Sequence, residues 1–143
     1  MESRVWFCPI RCLAYKLAQL FTQKIRQLAP LPNIYNTDNT RDLIYKLKDT
    51  PILPHFGLAS LDITYLYTNI PIAETQNILS NTLKQNSLDP HTQRELLSWY
   101  NTITKQNYFM NNGNILIQED GLAMGAPSSG LIAEFFLQYI EHT

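Results

Sequence analysis

The 143 residues are 45% hydrophobic and 16% charged, which is enough apolar material for one domain with a real core and excludes a disordered chain. No run approaches the roughly 18 apolar residues that a membrane span needs. The first residues, through Pro9 and Arg11, make a poor secretory signal, so an intracellular protein with no membrane partner is expected.

The net charge of −1 hides an asymmetry. Eight basic residues precede position 50 (Arg4, Arg11, Lys16, Lys24, Arg26, Arg41, Lys46, Lys48) against four acidic ones, about +4; three basic and eight acidic residues follow, about −5. Such a division marks either a phosphate-facing surface or a solvated helix face. Cys8 and Cys12, four apart, fit one helix face as metal ligands or as buried thiols, and no histidine adjoins them in sequence.

In chain order, Ile10, Leu13, Leu17, Leu20, Phe21, Ile25 and Leu28 recur at helical spacing until Pro30-Leu31-Pro32 stops them. A polar loop follows over 33–39. Thr40 to Lys48 reads as a short helix with Leu43, Ile44 and Leu47 inward, and Pro51 and Pro54 punctuate a linker. Phe56 to Ile63 suits a buried strand that ends at Asp62. Pro71 opens a helix with Ile78, Leu79 and Leu83 inside. Asp89-Pro90 forms the N-cap and first turn of another, which carries Leu96, Leu97, Tyr100 and Ile103.

Asn111-Asn112-Gly113-Asn114 lies between the apolar runs 107–110 and 115–118, a hairpin signal because a type I′ turn needs positive φ. A final helix follows Pro127, with Leu131, Ile132, Phe135, Phe136, Tyr139 and Ile140 on one face. The order of elements is that of an α+β protein with no second domain required.

Two segments carry chemistry. An acid such as Asp62 at the end of an apolar strand pairs with an arginine, faces solvent or binds a metal, since a bare buried charge is very costly. The turn Gly121 to Gly130, leading into the last helix, suits a phosphate or nucleotide at backbone amides; its alternative is an ordinary turn with Ser128 or Ser129 as the N-cap.

Asp62-Ile63-Thr64-Tyr65-Leu66-Tyr67-Thr68-Asn69-Ile70-Pro71 and Gly121-Leu122-Ala123-Met124-Gly125-Ala126-Pro127-Ser128-Ser129-Gly130, taken together, resemble motifs A and B of reverse transcriptases, specifically those of Penelope-like retroelements. In that family an aspartate is followed by a Leu-Tyr/Phe-Thr-Asn-Ile-Pro block and later by Gly-x-Ala-Met-Gly-x-Pro. Tyr15-Lys16-Leu17-Ala18 and the hairpin before Gly121 also look like the family's pattern, so the resemblance covers nearly the whole chain.

The resemblance implies a partial right-hand polymerase domain over 1–143, fingers and palm, with helices packed on a small antiparallel sheet. Asp62 would be a catalytic ligand of Mg²⁺ or Mn²⁺, with the Ile63 backbone carbonyl on the second ion. Tyr67 matches the gate whose ring excludes a 2′-hydroxyl; its plainer alternative is a core aromatic. Met124, Gly125, Ala126 and Pro127 would line the pocket for the deoxynucleoside triphosphate and template.

The family commonly reads Met-Gly-Ser-Pro-Leu-Ser-Pro, and Ala126, Ser128 and Gly130 depart from it. Two-metal transfer needs carboxylates that clamp both ions, and reverse transcriptases supply most of them from a Tyr-x-Asp-Asp hairpin. Nothing after Gly130 matches it; Glu134 and Glu141, within and at the end of the last helix, are expected on its polar face. The basic fingers residues expected before Tyr15, the thumb and a GIY-YIG endonuclease are not found either.

The expectation is therefore a retrotransposon RNA-directed DNA polymerase fragment, truncated at both ends and inactive alone, with RNA/DNA template-primer as the parent's partner. The alternatives are a non-catalytic nucleic-acid or protein-binding module and a decayed transposon remnant.

Overall fold

The computed structural model describes residues 6–7, 13–31, 37, 39–51, 53–57, 59–111 and 113–142. Cys8, Cys12, Arg4, Arg11, Ile10 and Leu58, and all but residues 37 and 39 of the loop expected over 33–39, lie outside them. The elements in order are β1 (Trp6–Phe7), α1 (Leu13–Leu28), α2 (Thr40–Lys48), α3 (Leu66–Asn69), α4 (Ile72–Gln85), α5 (Pro90–Lys105), β2 (Tyr108–Asn111), β3 (Asn114–Ile117) and α6 (Ser129–Glu141). The chain divides into two compact units, one comprising 1–31 and 65–143, the other 32–64.

The core of the larger unit is helix on helix. Ala14, Ala18, Phe21 and Ile25 form the buried stripe of α1, continued by Ala29 just past its end, while Leu20 and Leu28, expected inside, are exposed. α1 packs on α5, where Phe21 meets Tyr100 with ring centroids 6.3 Å apart and planes tilted by 55°. Ile78, Leu79 and Leu83 of α4 and Leu131, Ile132 and Phe135 of α6 complete the core, as their spacing predicts. Phe136 packs against it partly buried, whereas Tyr139 and Ile140 are exposed rather than inward.

α5 begins as its sequence dictates. Asp89 accepts hydrogen bonds at Oδ1 from the backbone N–H groups of His91 and Thr92, both 3.0 Å, and Pro90 takes the first helical position, where no donor is needed. The hydrogen bonds from Thr92 and the His91 N–H hold the Asp89 carboxyl below the usual carboxylate range. Pro71 stands at the N-cap position of α4, one residue earlier than expected.

The first turn of α4 is tied down by buried hydroxyls. Thr75 Oγ1 donates to the Pro71 carbonyl at 2.7 Å, and Tyr100 Oη donates to the Ile72 carbonyl at 2.9 Å. Burial pushes the Tyr100 hydroxyl well above the ordinary tyrosine range, a bond with Thr75 opposing it. The folded state thus holds this proton more tightly than the unfolded one. The stability it contributes is full below the ordinary tyrosine pKa of about 10 and declines as pH rises beyond it. Tyr100→Phe is expected to cost about 1 kcal/mol near neutrality and to lessen this alkaline decline. Thermal melts at about pH 8 and about pH 11 check both.

β1, β2 and β3 form a three-stranded antiparallel sheet in that order. Asn111 pairs with Asn114, and Gly113 in the turn has φ +80°. The hairpin is the expected one, its strands ending one residue later and starting one residue earlier than expected. The sheet is not the platform that the sequence suggested: every residue of β3 is exposed, and the helices bury one another instead. The architecture is mostly helical α+β with a small sheet. Among the described residues no helix is long and apolar enough to cross a membrane.

The smaller unit contains α2, with the expected bounds. Asn39 caps it by accepting from the Asp42 N–H at 3.0 Å, and Lys46 pairs with Asp42 at 3.0 Å across one turn. Leu43, Ile44 and Leu47 are exposed, not inward. The strand expected over 56–63 does not form at any described residue; Leu61 is 94% exposed, and Phe56 and Ile63 are open to solvent. An apolar run needs a hydrogen-bonding neighbour to become a strand, and the described residues offer it none.

Candidate functional site

The first block enters the larger unit at Tyr65, whose φ of +55° is left-handed, an uncommon state for a residue with a Cβ. Three donors converge on the Tyr65 carbonyl and hold the bend: the Asn69 N–H at 3.2 Å, Asn69 Nδ2 at 3.1 Å and Thr68 Oγ1 at 3.0 Å. The polar pair Thr68-Asn69 therefore shapes α3 locally. Ile70 plunges into the core, while Leu66 and Tyr67 pack against it half-buried. Tyr67 is thus in part the core aromatic of the plainer reading and in part open.

The second block is fastened to the first through main chain. The Leu122 N–H donates to the Tyr67 carbonyl at 2.6 Å. Immediately before it, Gly121 has φ +75°, and a Cβ there would lie 2.5 Å from the Thr68 carbonyl oxygen and 2.7 Å from its Cα. Only glycine fits both the conformation and the approach. Asp120 Oδ1 accepts from the Gly121 N–H at 2.8 Å, and buried Asn107 points Nδ2 at the Gly121 carbonyl at 3.5 Å.

The rest of the turn is anchored at its feet and open at its tip. Ser129 Oγ donates to the Ala123 carbonyl at 2.6 Å, and Thr22 Oγ1 of α1 to the Pro127 carbonyl at 3.3 Å. Between these anchors Met124 is 57% exposed, and Gly125, at φ +88°, has open space on its Cβ side. Ala126 and Pro127 are half-buried.

Ser128 occupies the N-cap position of α6 in a helical conformation and caps nothing. Its hydroxyl is buried, with no partner among the described residues. Ser129 is not the N-cap either; it is the first helical residue, and its N–H is already taken by the Ala126 carbonyl at 3.1 Å.

Of the residues singled out from sequence, Tyr67, Met124, Gly125, Ala126 and Pro127 fall on these two fastened segments. Asp62 and Ile63 belong to the smaller unit, exposed and without regular structure. Among the described residues no three of His, Cys, Asp and Glu gather to hold a metal ion. A lone carboxylate does not fit a two-ion clamp for Mg²⁺ or Mn²⁺.

Residues the sequence reading passed over are Gly121 as a contact point, Asn107, Asp120 and Thr22. The Asp120-Gly121 pair is a turn signal; nothing in the sequence marks the other two. Compared with known proteins, the chain matches no family model, no curated protein and no solved structure.

Proposed function

We propose that the chain is a fingers-and-palm portion of a Penelope-like reverse transcriptase, carrying the first catalytic aspartate and part of the nucleotide pocket of an RNA-directed DNA polymerase. In the intact enzyme a primer 3′-hydroxyl attacks the α-phosphorus of a deoxynucleoside triphosphate, forming the phosphodiester bond as pyrophosphate leaves. Asp62 would supply one of the carboxylates that hold Mg²⁺, which would activate the hydroxyl and stabilise the leaving group only with the remaining carboxylates in place. Tyr67 faces the sugar, and Met124 and Gly125 border the nucleotide and template.

The observation that supports this reading is the junction of the two blocks. Far apart in sequence, they meet at the Leu122–Tyr67 hydrogen bond and the Gly121–Thr68 contact, and the tip that would line the pocket stays open.

The test has two parts. The 143 residues alone are expected to give no Mg²⁺-dependent extension of an RNA-templated primer, because the Tyr-x-Asp-Asp carboxylates are not among them. Sequencing transcript and genomic DNA across codon 143 is expected to find that motif in frame downstream, and the longer polypeptide should then extend the primer. Extension by the 143 residues alone, or a downstream frame that carries no such motif, would overturn the polymerase reading. A stop with retained, salt-sensitive RNA or DNA binding would point to the non-catalytic module.

A further inference from the structure

Three features make Gly121 more than a turn residue. Its Cα rests against the Thr68 backbone, its neighbour Leu122 holds the Tyr67 carbonyl, and Asp120 and Asn107 grip its own N–H and carbonyl. The Leu122 bond and the Thr68 contact are main chain to main chain, so no side chain at 67 or 68 makes them. Beyond Gly121 the chain runs through buried Leu122 and Ala123 directly to the exposed Met124. A displacement at Gly121 is therefore passed in one direction to the Tyr67 backbone and in the other to the Met124 tip, with little slack in either.

From this geometry we infer that Gly121 is a positioning residue that fixes the Tyr67 ring and the Met124 tip relative to each other. Discrimination at the nucleotide sugar is then set from the second block as well as by Tyr67 itself. The sugar part of this inference rests on the nucleotide-pocket reading above; the positioning part rests on geometry alone. Restoring ordinary contact distances around a Cβ at 2.5 Å from the Thr68 oxygen requires the two backbones to part by roughly an ångström. A shift of that size at a positioned group costs on the order of a hundredfold in function.

The experiment uses the 143-residue chain with a fluorotyrosine at Tyr67 and a ¹³C-methyl label at Met124, observed by NMR without ligand and then during titration with dATP or ATP in Mg²⁺. Gly121→Ala is compared with Gly113→Ala, whose glycine has a similar positive φ but open space around it. Asp120→Ala removes only the acceptor of the Gly121 N–H and serves if Gly121→Ala fails to fold.

Gly121→Ala is expected to move the Tyr67 and Met124 signals together and to lower the dATP-over-ATP preference about tenfold or more. Asp120→Ala should move both signals less, and Gly113→Ala should move neither. Unmoved Tyr67 and Met124 signals in folded Gly121→Ala, or in Asp120→Ala if Gly121→Ala does not fold, would overturn the positioning role. Moved signals with an unchanged nucleotide preference would overturn the link to the sugar. If the unsubstituted chain binds neither nucleotide, the pocket reading fails and the sugar link with it, and the ligand-free signals still decide the positioning role.

Discussion

Phe21→Ala is expected to lower the unfolding free energy by about 3–5 kcal/mol, a large part of the 5–15 kcal/mol available to a typical domain. Phe21 is 1% exposed, and its ring lies against Tyr100, itself fully buried, so one substitution opens a cavity where α1 and α5 meet. Relaxation is limited because the surrounding residues come from separate helices, each pinned by its own core contacts. Urea unfolding followed by circular dichroism and, in a Trp6→Phe background, by Trp99 fluorescence measures the effect, since Trp99 packs against the same core. Leu20→Ala, on an exposed position of the same helix, is the comparison and should change little. Equal losses for the two variants would mean that the core is not where these contacts place it.

In a polypeptide that also carries Tyr-x-Asp-Asp, Asp62→Asn is expected to reduce RNA-templated primer extension by at least about a thousandfold, because ligands that act as a unit lose nearly all of the chemistry together. Its melting temperature should stay close to that of the unsubstituted chain, as Asp62 is exposed and outside the packed unit. A variant that loses activity while keeping stability and template binding identifies a ligand. Undiminished extension by Asp62→Asn would remove the assignment of the first block.

Local signals were legible where one short segment contains the whole cause. Asp89 caps α5 with bonds made within a few residues, and Gly113 turns its hairpin through its own backbone freedom; Asn39, read only as the end of a polar loop, caps α2 in the same local way. Sequence failed where the cause lies in a partner. Leu43, Ile44 and Leu47 share one helical face and are nevertheless exposed, because periodicity specifies a face and not what covers it. The run 56–63 reads as a strand for the same reason and forms none among its described residues.

The stripe of α1 was misjudged in the opposite sense. Ala14 and Ala18 are buried while the bulkier Leu20 is exposed, which helical spacing alone does not decide. At the candidate site the motif residues were readable, but the junction was not. A glycine pressed against the backbone of Thr68 leaves no mark in composition or period.

The placement of 32–64 as an excursion between two stretches of one packed unit also bears on how this chain tolerates change. Joining α1 to α3 across a loop costs entropy only logarithmically in its length, about 0.6 kcal/mol for each doubling. Lengthening or shortening the excursion is therefore nearly neutral for the helices that close around it. Insertions in the stretch bearing Asp62 are accordingly expected to leave the melting temperature of the helical unit little changed. The aspartate of the first block thus sits on the part of the molecule whose loss folding would register least.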